Sequence, residues 1–280
     1  MDTHNPMVEV LLTVFNRAEY LDNCIKSVLT QTRGVYLLRI LDDGNCPNVA
    51  SVISQYTGRL VHHYKNPKRM GAAASIFTAI RRSRCEYFSI INDDDYWHPD
   101  FLAELLPPLQ RDPSISISFC DHWIVDAKSR ILAKETDVNS SKYGRAQLTE
   151  GLVPDLTKLV LEKNGVPMAM GSVVRKSAIP EQLLLPEVRS AYDYWLSLVV
   201  SHQSNKGYYS PRRLSYYRVH AAMESASKSS RRGSAIARTY VAALRHGLHR
   251  RHSKLFINRL LRLIGRIIMH SLKQRLRKHG

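Results

Sequence analysis

No aspartate or glutamate follows Glu224, so residues 225–280 carry 15 lysines and arginines with nothing to offset them. Residues 1–224 hold 26 basic and 24 acidic side chains, and the formal net charge of +17 is therefore a property of one end of the chain. A uniformly basic, polyanion-coating protein is excluded. Cysteine is scarce: Cys24, Cys46, Cys85 and Cys120 lie far apart and form no C-x-x-C pair, which argues against a zinc site or a redox dithiol and for reduced thiols. No window of about 18 residues is free of charge, so no transmembrane helix is expected. The opening residues lack a basic stretch followed by an apolar one, so no secretory signal is expected either. What is present is 44% hydrophobic and 23% charged residues, the composition of a folded chain.

Residues 1–125 alternate strand-like and helix-like segments. The run at 8–15 is apolar and β-branched, as buried strands are, and 35–41, 60–64, 87–91 and 115–125 read as further strands. Between them, 18–32 places Leu21, Cys24, Ile25, Val28 and Leu29 on one helical face. Helices are also expected at 48–56, 71–82 and from Pro99 to Leu106. This rhythm predicts an α/β fold with a mostly parallel sheet covered on both faces. Beyond residue 126 the rhythm breaks. Residues 127–150 read as loop, 152–163 and 191–200 as helices, 171–175 and 215–219 as short strands, and 225–234 as a polar linker. The expected division is a nearly neutral folded body at 1–224 and a linker with a basic helical tail at 225–280.

In open α/β sheets, ligands bind beyond the carboxyl ends of strands. Asp42-Asp43 and Asp93-Asp94-Asp95 both sit at such ends. Carboxylates gathered there repel one another unless a cation neutralises them, and a divalent metal does so through oxygen ligands while bridging phosphates. The plain alternative is that Asp and Asn merely terminate strands as turn formers.

Seven segments, in order, resemble the family 2 glycosyltransferases, which have the GT-A fold. Leu12-Thr13-Val14-Phe15-Asn16-Arg17 is similar to that family's P-T-Y-N-R, Leu41-Asp42-Asp43-Gly44-Asn45 to V-D-D-G-S, and Gly71-Ala72-Ala73-Ala74 to its glycine-led helix start. Asn92-Asp93-Asp94-Asp95 with Pro99-Asp100 resembles the segment holding the DxD metal motif. Met170-Gly171-Ser172, Tyr192-Asp193-Tyr194-Trp195-Leu196 and Tyr217-Arg218-Val219-His220 resemble its glycine loop, its E-D-x-x-L-W element and its late Y-R-x-H. The resemblance covers residues 7–222, and the order of the motifs makes it specific.

The resemblance implies a metal-dependent, inverting transfer from a nucleotide-diphosphate sugar to a hydroxyl acceptor, as in polysaccharide or glycolipid biosynthesis. Thr13, Phe15 and Asp43 would hold the base and ribose. A carboxylate at Asp43 accepts from a pyrimidine ring N–H and so favours a UDP-sugar. Asp94 and His220 would bind Mn²⁺ or Mg²⁺. Asp93 would meet ribose or sugar hydroxyls, and Arg17, with Lys68 and Arg69, the phosphates or sugar. Asp193 would be the general base that takes the acceptor proton. One rival is a nucleotidyltransferase, although Asn16-Arg17-Ala18-Glu19 is unlike the glycine-rich loop such enzymes carry. Another is a non-catalytic module that binds membranes or nucleic acid.

The tail has two sides. Phe256, Ile257, Leu260, Leu261, Leu263, Ile264, Ile267 and Ile268 share one arc at helical spacing. Arg259, Arg262, Arg266, His270, Lys273 and Arg277 share the other. A large apolar face opposed by a purely cationic one suits a helix lying in an anionic membrane surface. The expectation is thus a cytoplasmic protein, peripheral at the inner face of the cell membrane. The alternative is a helix packed on the body, and no nucleic-acid partner is expected.

Overall fold

The computed structural model describes residues 8–34, 36–56, 58, 60–220 and 230–279. A strand–helix alternation opens the chain: β1 (Val8–Val14), α1 (Leu21–Leu29), β2 (Tyr36–Asp42), α2 (Pro47–Ser54), β3 (Val61–Lys65), α3 (Ala72–Arg82) and β4 (Tyr87–Asn92). The short β5 (Tyr96–Trp97), α4 (Phe101–Arg111) and β6 (Ile117–Val125) follow. Then come α5 (Ala133–Lys142), β7 (Gly151–Val153), α6 (Leu156–Lys163), β8 (Ser172–Arg175), α7 (Tyr192–Gln203), β9 (Gly207–Arg218), α8 (Ser230–Arg245) and α9 (Ser253–His279). The strands form one sheet in the order β3-β2-β1-β4-β8-β6-β9-β5, with β7 on β9. Pairing is parallel across β3, β2, β1 and β4, and again between β6 and β9; β8 runs antiparallel between its neighbours.

The period-2 pattern of the strands divides the core into two layers. Val10 and Leu12 of β1, with Tyr87 and Ile91 of β4, face the buried stripes of α1, α2 and α4. Leu11, Phe88 and Ile90 face α3, α6 and α7, and Tyr240, Ala242, Ala243 and Phe256 of the C-terminal helices join that second layer. Helix α4 runs on through Pro107 and Pro108 to Arg111, past the expected end at Leu106, because Leu105, Leu106 and Leu109 are all buried.

Residues 127–150 are not all loop. Helix α5 has no apolar stripe to announce it; polar contacts to β6 hold it instead. Thr136 Oγ1 accepts from the Ile124 N–H (2.9 Å), and Ser140 Oγ donates to Asp121. Of the expected linker, residues 225–229 lie outside the described residues, while the remainder begins α8. The expected strand at 215–219 is the end of the longer β9.

The same region holds a buried histidine. His122 is 5% exposed, and its Nδ1 has no hydrogen-bond partner among the described residues. Burial, reinforced by the neighbouring Arg145 charge, drives its pKa down to about 3. The unfolded chain therefore binds a proton that the folded one refuses, between the ordinary imidazole value of about 6.5 and about 3. This contribution to stability is complete above the upper value and is lost as pH falls through the window, by up to about 1.4 kcal/mol per pH unit. The difference in urea midpoint between the wild type and His122→Gln, measured from neutral pH downward, should follow that slope.

Candidate active site

The carboxyl ends of β1 and β2 build a pocket. Asn16, just past β1, takes a left-handed conformation (φ 55°), and its Oδ1 accepts from the Asn45 N–H at 2.9 Å. That contact brings Gly44 so close that a Cβ there would lie 2.3 Å from Asn16 Oδ1, so only glycine fits after Asp43. Asp43 Oδ1 accepts from Met70 N–H (2.6 Å) and Asn66 Nδ2 (3.1 Å), and Oδ2 from Gly71 N–H (2.7 Å). One carboxylate thus ties the start of α3 to the end of β2. The cavity, about 550 Å³, is walled by Phe15, Asn16, Asp43, Asn45, Lys65 and Arg69, among others. Phe15 is 42% exposed there, and the Arg69 guanidinium stands 4.0 Å from its ring centre.

Next to this pocket, β4 ends in Asn92 and three buried carboxylates. Arg17 reaches two of them: Nη2 lies 2.6 Å from Asp93 Oδ1 and Nη1 2.7 Å from Asp94 Oδ2. Nη1 is also 3.1 Å from His220 Nε2, which is itself 3.1 Å from Asp94 Oδ2. The guanidinium therefore sits between Asp93, Asp94 and His220. Even so, burial outweighs the Arg17 charge and pushes Asp93 up to about 7. Burial, followed by the Asp94 charge, pushes Asp95 well above the usual carboxylate range. Arg218 closes the turn from below, with its N–H on Asp95 Oδ1 (3.0 Å) and Nε on the Asp94 carbonyl (2.9 Å), and its guanidinium lies against the Tyr20 and Tyr96 rings.

Asp94 and His220 fit a hard divalent cation: one oxygen and one nitrogen donor converge on the spot that Arg17 Nη1 occupies. Among the described residues no group of three or more His, Cys, Asp or Glu side chains is placed to hold a metal ion. A two-ligand site of this kind suits an ion that completes its shell with substrate phosphates and water.

Helix α7 arrives at the same place from far along the chain. Tyr192, at its first position, donates from its hydroxyl to Asn92 Oδ1 (3.2 Å). The approach is set by Trp195, fully buried with Nε1 on the Leu183 carbonyl (2.6 Å), and by a sharp turn at Arg189 (φ 51°). Asp193 follows in the first turn, half-buried, with Oδ1 accepting from the Tyr194 N–H at 2.7 Å.

The model of the family described as Glycosyl transferase family 2 matches residues 9–178. The chain belongs to glycosyl transferase family 2. It is 24% identical over 200 residues to an uncharacterised glycosyltransferase of Rickettsia typhi, covering 71% of this chain and 60% of that one. Against the putative teichuronic acid biosynthesis glycosyltransferase TuaG of Bacillus subtilis it is 23% identical, over 71% of this chain and 74% of the relative. The chain spans about two thirds or less of the length of the Rickettsia relatives it matches. Among solved structures, S. aureus TarS 1–349 superposes with a TM-score of 0.65 at 13% identity, over 91% of this chain and 71% of that one. The mannosyltransferase PcManGT of Pyrobaculum calidifontis, in complex with GDP-Man and Mn²⁺, gives 0.60 at 15% identity, over 87% and 65%. These likenesses bear out the expected GT-A fold.

Within this family-2 chain the expected site residues fall into two groups. Phe15 and Asp43 line the pocket, while Asp93, Asp94, Arg17 and His220 meet at the end of β4. Lys68 and Arg69 also line the pocket. Thr13 does not line it; its hydroxyl donates to Asn92 Oδ1 at 3.2 Å, at the centre of the site. Asn92 therefore receives both Thr13 and Tyr192, a hub role that its place in the motif did not reveal. Asn66 and Lys65 were also missed; the Asn66-Pro67 turn after β3 was the signal available.

Proposed function

We propose that the protein transfers a sugar from a nucleotide-diphosphate donor, UDP-linked, to a hydroxyl acceptor with inversion at the anomeric carbon. The observation that supports this reading is the Tyr192–Asn92 hydrogen bond, which joins the start of α7, one residue before Asp193, to the end of β4. The base stacks on Phe15. Asp43 already accepts three donors, and a carboxylate has about four lone-pair sites. The remaining site suits a pyrimidine N–H, in keeping with the complex of TarS with UDP-GlcNAc.

Asp94 and His220 would hold Mn²⁺ or Mg²⁺, which when bound stabilises the negative charge that grows on the departing diphosphate. Arg17, paired with Asp93 and Asp94, would meet the diphosphate, and Asp93 would meet ribose or sugar hydroxyls. Asp193 takes the acceptor proton as that oxygen attacks from the side opposite the nucleotide, which inverts the centre. The acceptor is carbohydrate or lipid-linked. A second cleft of about 750 Å³, walled by Trp123, Tyr216, Arg145 and Arg213, offers rings and paired charges to it. Tyr216 stacks on Tyr96 (4.3 Å), next to Asp95.

Titration calorimetry with UDP and GDP in Mn²⁺, paired with donor hydrolysis, tests the reading. UDP should bind more tightly, and Phe15→Ala should weaken it by roughly tenfold, since an aromatic–base stack contributes ~1–3 kcal/mol. Failure to bind or cleave any nucleotide-sugar would overturn the assignment.

A further inference from the structure

The apolar arc of α9 has two fates. Phe256, Leu260 and Leu263, at i, i+4 and i+7, pack on the core; Phe256 is fully buried. Arg259, expected on the opposite cationic arc, lies about 60° from Phe256 around the helix and donates from Nε to the Leu161 carbonyl at 2.7 Å, which pins the helix against α6. Ile257, Leu261 and Ile264 repeat that spacing one position later, rotated by about 100°. They are 48%, 59% and 43% exposed. On α8, Val241 and Leu244 are likewise 45% and 40% exposed. The outer stripe is thus held rigidly at the surface by the inner one.

We propose that this outer stripe is a docking surface for an anionic lipid bilayer, on which α9 lies in the plane of the headgroups while still seated on the catalytic body. Charge decides the occupant. Lys254 and Arg262 are exposed beside the stripe, Arg245, Arg250 and Arg251 are exposed where α8 gives way to α9, and no acidic residue follows Glu224. An anionic headgroup layer complements such a surface, with the long basic side chains reaching outward to it. A second copy of the chain does not, because pairing would bring two unbalanced cationic segments together. No described helix is long and apolar enough to cross a membrane, so the contact is in-plane. The consequence is an enzyme whose site has a fixed orientation to the bilayer, suited to acceptors that are anchored there.

The test is co-sedimentation of the full chain with vesicles of phosphatidylcholine plus phosphatidylglycerol, or of phosphatidylcholine alone. Binding should require the anionic lipid and weaken with salt. Ile257→Ser, Leu261→Ser and Ile264→Ser together should reduce it at least about tenfold. UDP binding and melting temperature should be unchanged, since all three side chains are exposed. Lys254→Glu with Arg262→Glu should reduce it by a separate route. Undiminished binding by the triple variant would overturn the proposal, as would indifference to lipid charge. So would a concentration-dependent dimer of the wild-type protein that the triple variant abolishes, because the occupant would then be a second copy. Loss of UDP binding in the wild-type protein would instead count against the transferase reading and leave this one standing.

Discussion

Asp193→Asn is expected to lower kcat by roughly 10²–10⁴-fold, the range that a positioned general base contributes, while leaving donor affinity unchanged. The separation follows from the geometry. Asp193 Oδ1 accepts the Tyr194 N–H at the start of α7, and the amide oxygen of asparagine keeps that bond, so the helix start and the Tyr192–Asn92 contact should survive. Asparagine cannot take up the acceptor proton. Release of UDP in the presence of acceptor measures kcat, and titration with UDP checks the site. A D193N protein with wild-type turnover would move the base to another side chain.

The second large effect is expected at Asp94. Asp94→Asn should lower turnover by about 10³-fold, because charge stabilisation of the leaving diphosphate by a bound divalent ion is worth several kcal/mol. It should also abolish Mn²⁺ binding, read by the loss of its free-ion paramagnetic resonance signal on titration with protein. Arg17→Gln provides the contrast. Its guanidinium lies on Asp94, Asp93 and the edge of His220, so removing it should raise Mn²⁺ affinity in the nucleotide-free protein while lowering turnover. Asp94→Asn keeps the size of the side chain and leaves Arg17 paired with Asp93, so the fold should tolerate it. If D94N still binds Mn²⁺ as wild type does, the Asp94–His220 pair is not the cation site.

Much of the candidate site was legible because its residues gather at strand ends. Asp43, Asp93 and Asp94 each close an apolar run, and such a run followed by aspartates is visible without coordinates. What was not legible were the partners. Arg17 read as one more phosphate-facing arginine, yet it makes its bonds 76 and 203 residues away, to Asp93 and His220. Thr13 read as a nucleotide contact, and its bond to Asn92, 79 residues away, could not be seen in the sequence. Helix α5 escaped notice because its buried face is threonine and serine, held by hydrogen bonds to β6, and periodicity of apolar residues cannot report such a face.

The sequence by itself determined the alternation of strands and helices, the neutral body, the carboxylates at the sheet's edge and the concentration of positive charge after Glu224. Each is written within a few neighbouring residues, where spacing and composition act directly. Only the tertiary structure decided that Arg17 stands between Asp93, Asp94 and His220, that Tyr192 holds α7 to Asn92, and that Phe256, Leu260 and Leu263 of α9 belong to the core while Ile257, Leu261 and Ile264 face outward. Those outcomes depend on which distant surfaces meet, and a local pattern that makes a face apolar does not say what will cover it.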